Sequence, residues 1–324
     1  MVEVERYEDI ELITETFTQK INIKEGDTVT YKLPTRGYVT RYELLMRLNV
    51  STGTDGGVPR EDALFRFIKS LRIEYPGGKI YYGVPDGRLI KFKNILDFGG
   101  RIREDPLPTS ANVTQDVYVK MILNWGFEPT DPFDPSVVIP AAELSDLYLT
   151  ITFGTAADLG SGYTINGGDI TVTARYISGD KDLIFPEDCN IPISTPVELD
   201  INEVKGDLQI RDDLPVGNVL RETLILIVDN NDNRSNYEIS EVGLIIPAER
   251  KIPYRIEWNT LNTQLRHDYG LEFEIHGLGT IDYEDVSGLP LGLDMTEEQV
   301  GSWKIGFSSV RSGGKIKMMH IQVS

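Results

Sequence analysis

Along most of the chain, apolar and polar residues alternate with a period of two. In "DVYVKMILN", Val117, Val119, Met121 and Leu123 fall on one side. In "LYLTITF", Leu147, Leu149, Ile151 and Phe153 do so, with Tyr148, Thr150 and Thr152 opposite. In "DITVTARYI", the row is Ile170, Val172, Ala174 and Tyr176. Such alternation predicts half-buried antiparallel strands, because successive side chains of a strand point to opposite faces. "SLRIEYPGGKIYYGV" has strand formers on both sides of Gly77-Gly78 and predicts a hairpin, since tight primed turns need positive φ. Helical spacing is confined to two short pieces: Leu64, Phe67, Ile68 and Leu71, and Leu89, Phe92, Ile95 and Leu96. Many short strands with Gly- and Pro-rich turns predict a sandwich or barrel.

The pattern then recurs. "KLPTRGYVTRYELLMRLNV" (residues 32–50) is echoed by "DLPVGNVLRETLILIVDN" (213–230). At an offset of 180 residues, Gly37, Val39, Arg41 and Leu44 meet Gly217, Val219, Arg221 and Leu224. Gly26-Asp27 precedes one copy and Gly206-Asp207 the other. Downstream, "IKSLRIEYPGGKI" meets "ISEVGLIIPAERKI", and "NILDFGG" meets "TLN" and "HDYGL". Alternating strands follow at Val117 and Leu271, then short acidic helix candidates in "PAAELSDLYLTITF" and "MTEEQVGSWKIGF". Each half ends on a Gly-Gly turn and a last strand, "GGDITVTARYI" and "GGKIKMMHI". One order kept in both halves predicts a β unit repeated in tandem. The Pro-rich stretch 179–196 lacks alternation and reads as a linker. The predicted organisation is an N-terminal arm (1–17), a first jelly roll (18–180), a linker (181–196) and a second jelly roll (197–324). The expected class is all-β: two tandem eight-stranded jelly-roll β-sandwiches, with short helices in connecting loops.

Leu224 to Val228, "LILIV", is apolar at every position, which predicts a strand buried on both faces. Cover for the second face would come from the other half, from another subunit, or from a helix or long loop. Leu224, Leu226 and Val228 are therefore interface candidates.

Composition narrows the function. The 324 residues carry a formal net charge of −19. That acidity argues against nucleic-acid binding, which needs a basic footprint, and against broad adhesion to anionic membranes. It favours solubility at high concentration. No run of eighteen apolar residues is present, and the acidic N-terminus lacks the pattern of a secretory signal. The single cysteine, Cys189, excludes an intramolecular disulfide framework and a Cys-cluster zinc site. It reads as an inert thiol and fits assembly in a reducing cytoplasm.

Candidate chemistry is sparse. His267, His276 and His320 form no metal-binding pair, and no nucleophile-elbow, Walker or dinucleotide motif occurs. Asp229, Asn231 and Asn233 alternate as oxygen ligands do in calcium loops, but the central Gly and twelfth-position Glu are missing. Asp and Asn are also the ordinary residues of tight turns. "EPTDPFDP" (128–135) reads as a rigid exposed loop. Arg88, Lys91, Lys93, Arg101 and Arg103 are a local basic excess. It suits either a solvated helix face or contact with acidic neighbours or anionic lipid, which makes Lys91 and Lys93 further interface candidates. Asn49, Asn112 and Asn233 begin N-x-S/T triplets, expected to stay unmodified without a secretory signal. No catalytic, cofactor-binding or metal set is assigned.

The duplicated order of "LPTRGYVTRYELLMRLNV", the hairpin and helix "LRIEYPGGKIYYGVPDGRLIKFKNILDFGG", the closing "IPAAELSDLYLTITF" and their echoes resembles the double jelly-roll major capsid proteins. This lineage includes adenovirus hexon and the coats of tailless, membrane-containing bacterial and archaeal viruses. The resemblance implies homotrimers shaped as pseudo-hexagonal tiles of an icosahedral shell, assembled in the host cytoplasm into virions. It also implies vertex (penton) and minor capsid partners and an internal viral membrane. Two alternatives stay open: a secreted or surface carbohydrate-binding protein of two β-sandwiches, and a two-jelly-roll hydrolase such as peptide N-glycosidase. The former would need exposed aromatic platforms, whereas Trp125, Trp258 and Trp303 lie in apolar-patterned segments.

Overall fold

The computed structural model describes residues 2–7, 10–99, 102–179, 190–247, 249–271, 275–287, 292–295 and 303–324. Cys189, Arg101, most of the expected linker and the helix candidate after Met295 lie outside the described residues. The chain divides into two compact units, Met1–Pro192 and Ile193–Ser324.

The first unit contains β1 (Val2–Tyr7), β2 (Ile10–Thr16), β3 (Ile21–Ile23), β4 (Thr28–Leu33), β5 (Tyr38–Thr52), β6 (Val58–Pro59), β7 (Ile68–Tyr75), β8 (Lys79–Val84), β9 (Thr114–Asn124), β10 (Leu147–Phe153), β11 (Gly160–Ser161) and β12 (Tyr163–Gly179). One sheet runs β1-β2-β12-β5-β9, with β3 also on β12; the other runs β4-β10-β7-β8. The second unit contains β13 (Pro192–Asp200), β14 (Ile210–Asp213), β15 (Val219–Val228), β16 (Ile239–Ile246), β17 (Lys251–Glu257), β18 (Leu278–Asp282), β19 (Leu293–Asp294), β20 (Lys304–Ser309) and β21 (Lys315–Val323). Its sheets run β13-β21-β15-β18 and β14-β20-β16-β17. Strand for strand the two units share one order. β2/β3, β4, β5, β7, β8, β9, β10 and β12 correspond to β13, β14, β15, β16, β17, β18, β20 and β21. Each unit is an eight-stranded jelly roll.

Bulges fix the register of the repeat more tightly than the sequence match does. Opposite β12, Val39 and Arg41 pair with consecutive residues, leaving Thr40 as the extra residue. Opposite β21, Leu220 and Glu222 do the same around Arg221. On β7 the extra residue is Lys69, and on β16 it is Ser240. Bulges are positional devices that re-aim a strand, so shared bulges mark equivalent positions. Thr40 therefore matches Arg221, an offset of 181. The offset of 180 expected from sequence is one residue out within these strands. With a side-chain period of two, that single step exchanges inner and outer faces.

Most of the alternating rows lie inside as expected. Leu44, Met46, Leu48, Val117, Val119, Met121, Leu149, Ile151, Ile170 and Val172 are all buried. In the second unit Ile225, Ile227, Ile316, Met318, Val242, Leu244, Ile305, Phe307 and Trp258 form one core cluster. The Gly77-Gly78 hairpin joins β7 to β8, with positive φ at both glycines.

Helix α2 (Gly87–Phe98) forms where the spacing placed it. Asp86 caps its start, and Gly99 closes it with φ 61° and an N–H bond to the Ile95 carbonyl. The other helical stretch is corrected: α1 (Ala63–Arg66) is a single turn, and Ile68 and Leu71 belong to β7. Leu71 pairs across the sheet with Ile151, so tertiary pairing overrides a spacing too short to specify a helix. The acidic stretch after Pro140 makes only a 3₁₀ turn, Ala141–Glu143. Three further helices among the described residues are α3 (Ala156–Leu159), α4 (Trp258–Asp268) and α5 (Tyr283–Ser287).

The segment expected as an arm is sheet-paired in the first unit. Ile10–Thr16 ladders against β12, the Phe17 N–H donates to the Val172 carbonyl at 2.9 Å, and Ile13 and Phe17 are buried. Without β2, that length of β12 would expose an unpaired backbone edge.

Candidate assembly surfaces

The outward faces of the sheets are the surfaces a partner could meet, so they are described first. On β5 the residues opposite the core are Arg41, Glu43, Leu45, Arg47 and Asn49. Glu43 sits among three cations: Arg41 Nη2 at 2.8 Å, Lys120 Nζ at 2.7 Å and Arg175 Nε at 3.3 Å. Arg47 reaches Asp169 at 2.5 Å, and the Asn49 amide donates to Asp116 at 2.7 Å. Leu45 stands in this polar field 36% exposed. The equivalent positions on β15 are Glu222, Leu224, Leu226 and Val228, flanked by Met319 and Ile321. There Leu224, Leu226, Val228, Met319 and Ile321 are all buried. The same face of a duplicated unit is thus an ion-paired polar lattice in one copy and an apolar buried layer in the other.

Burial alone would raise the Glu43 carboxyl. The Lys120 hydrogen bond and charge, with Arg41 and Arg175, outweigh it and bring the pKa down from 4.5 to about 2. A carboxylate depressed on folding stabilises the fold fully above its unfolded pKa, and that contribution is lost as pH falls through its folded pKa. Stability should therefore drop as pH is lowered from 4.5 towards 2. Equilibrium unfolding across this range should show Glu43→Gln with a flatter pH dependence. An unchanged acid slope in the variant would remove Glu43 as its source. The signal was present in the sequence, as Arg41, Glu43 and Arg47 on one side of one strand, but the partners Lys120 and Arg175 are brought beside them only by pairing.

The sequence-derived candidates fall as follows. Leu224 and Leu226 are fully buried and Val228 is 1% exposed, so they offer no area to a second copy. Lys91 bonds Asp62 at 2.8 Å and also reaches Glu104, Lys93 bonds Asp97 at 2.8 Å, and Arg103 pairs with Asp105 at 3.1 Å. Arg88 is buried against Asp86. The described part of the basic excess is thus matched within the chain, and a lipid or acidic neighbour would have to displace those carboxylates. Asp229 Oδ1 accepts from the Asn231 and Asn233 backbone N–H groups, each at 2.8 Å, so the suspected calcium loop is closed on itself as an Asx turn. "EPTDPFDP" likewise folds around buried Asp134, which accepts from Glu128 N, Ser136 N and Ser136 Oγ. Among the described residues, no group of three or more His, Cys, Asp or Glu is arranged to hold a metal ion. His267 and His276 are exposed, while buried His320 joins Thr223 and Tyr283 in a core hydrogen-bond chain. Trp125 and Trp258 are buried, and Trp303 packs on the second core.

One outer edge is guarded. β17 carries Lys251, Pro253, Arg255 and Glu257, and Pro253 and the charges discourage edge-to-edge pairing.

No family model and no curated protein matches the sequence. Solved structures do match in shape. The major capsid protein of Sulfolobus turreted icosahedral virus is similar with a TM-score of 0.79 at 15% identity, over 96% of each chain. The PBCV-1 virus capsid gives 0.62 at 10% identity, covering 98% of this chain and 94% of that one. The major capsid protein P2 from bacteriophage PM2 gives 0.59 at 11% identity, covering 97% and 98%. At such identities the likeness is one of fold, and it extends through both units. The chain has the double jelly-roll fold of viral major capsid proteins.

Proposed function

We propose that this protein is a viral major capsid protein. It self-assembles as pseudo-hexagonal homotrimers into an icosahedral shell over an internal membrane, with no enzymatic role. The observation that carries this reading is whole-length similarity: both jelly rolls, in the same order, match a major capsid protein over 96% of each chain. A duplicated unit suits the role physically. Three subunits with two like lobes each give six lobes, so a closed three-fold assembly can fill a six-fold position. The net charge of −19 agrees with a protein that must stay soluble at high concentration before it assembles. Its partners are then further copies of itself, a vertex protein and minor capsid proteins. Its place is the virion, after assembly in the host cytoplasm.

Sedimentation analysis of the purified full chain tests the first step. A stable species near three times 36.4 kDa is expected, and a strict monomer at high concentration would overturn the proposal.

A further inference from the structure

The same end of the two jelly rolls is finished differently. In the first unit, the β5–β7 and β10–β12 connections carry α1 and α3 and pair β6 with β11. The Gly154 N–H closes this end on the Phe67 carbonyl at 2.7 Å. In the second unit, the Val310 N–H makes the matching bond to the Glu238 carbonyl at 2.9 Å. Phe67 thus corresponds to Glu238, and the preceding residues Arg66 and Tyr237 correspond to each other. Arg66, the last residue of α1 in that cap, is 1% exposed, whereas Tyr237 is 65% exposed. The second unit has no such cap among the described residues, and its end stays open.

At that open end lies a groove of about 510 Å³, within the range of small-molecule sites. It is lined by Asn236, Tyr237, Ser240, Glu257, Asn259 and Arg311. The Arg311 guanidinium stacks 5.4 Å from the Tyr237 ring centroid, which braces the ring while leaving it largely in solvent. The wall beneath is fixed: the Asn236 side-chain oxygen accepts from Trp258 Nε1 at 3.0 Å and from the Gly277 N–H at 2.6 Å. Glu241, also on the groove, is tied to Arg255 and Ser308. The remaining charges are one carboxylate, Glu257, and one guanidinium, Arg311, so neither an anion nor a cation is favoured. What the groove offers is one aromatic face, with planar carboxylate and amide groups beside it. A neutral polyol ring meets all three demands: its C–H face packs on an aromatic quadrupole, and its neighbouring hydroxyls both donate and accept.

We propose that this groove binds a neutral hexopyranose, stacked on Tyr237 and hydrogen-bonded by Glu257 and Asn259. The inference does not depend on the capsid reading, and unassembled full-length protein suffices to test it. Saturation-transfer NMR with the methyl glycosides of glucose, galactose and mannose should show transfer to at least one of them. Tyr237→Ala should weaken that sugar about tenfold or more, and Tyr237→Phe should keep it, because the ring and not the hydroxyl carries the contact. Glu257→Gln should weaken it by removing the charged acceptor. Absence of transfer from all three glycosides, or transfer that survives Tyr237→Ala, would overturn the proposal. Both Tyr237 variants alter an exposed side chain, so unchanged circular dichroism should accompany either result.

Discussion

Replacing Asp86 with alanine should destabilise the first unit by about 3–5 kcal/mol, the usual cost of breaking a buried ion pair from one side. Asp86 and Arg88 are each 1% exposed. The Arg88 Nε donates to Asp86 Oδ1 at 2.9 Å and Nη2 to Oδ2 at 2.7 Å, a bidentate fork. The Asp86 carboxylate also accepts the Arg88 backbone N–H at 3.0 Å and so caps α2. Asp86→Ala removes the cap and leaves a guanidinium in the interior without its main counter-charge. The double variant Asp86→Ala/Arg88→Met should recover much of the loss, because an apolar replacement of both partners no longer buries a charge. Guanidinium-induced unfolding of the full chain measures both. If the single variant costs under about 1 kcal/mol, the pair is not structural. The sequence places Arg88 in a basic excess that suits a solvated face or a contact with acidic neighbours or lipid; its burial assigns it to the interior.

Asn94→Ala should cost about 2–4 kcal/mol, since it orphans two buried backbone groups at once. Asn94 is fully buried on α2, donates to the Ile122 carbonyl at 2.5 Å and accepts the Ile122 N–H at 2.9 Å. Ile122 lies on β9, the outermost strand of its sheet, so the amide side chain stands in for a missing neighbouring strand. The second unit repeats the device. Asn262 on α4 donates to the carbonyl of Leu278, which opens the edge strand β18, at 2.7 Å, and to that of Ile275. Asn94→Leu should lose as much stability as Asn94→Ala, because volume is restored but hydrogen bonding is not. Near-wild-type stability in Asn94→Leu would show that packing, not edge capping, ties α2 to the sheet.

These two residues also show how far sequence reading reaches. The echo of "NILDFGG" in "TLN" pointed to equivalent segments, and both became helices beside the same strand of the jelly roll. Nothing in either segment reveals that an asparagine would face a strand edge, because the edge is created by residues far along the chain. Tyr237 is a similar case. It is the lone aromatic of the polar run "DNNDNRSNYE" (229–238), which reads as a turn, and that lone aromatic near its end is the available signal. Among the described residues its unit carries no counterpart of the first unit's cap, and only comparison with Arg66 makes that visible.

The sequence by itself determined the class of fold, the tandem duplication, the order of strands, the inward rows and the α2 helix. All of these follow from local chemistry: period-two alternation, glycine at positive φ, and capping are written within a few residues of where they act. The tertiary structure alone decided the register of the repeat and the fate of the charges. A bulge adds one residue without leaving a compositional mark, yet it turns every later side chain to the other face. Whether Lys91, Arg88 or Glu43 meets solvent or a counter-charge depends on which distant strand or loop lies alongside, and that is a property of pairing rather than of any one segment.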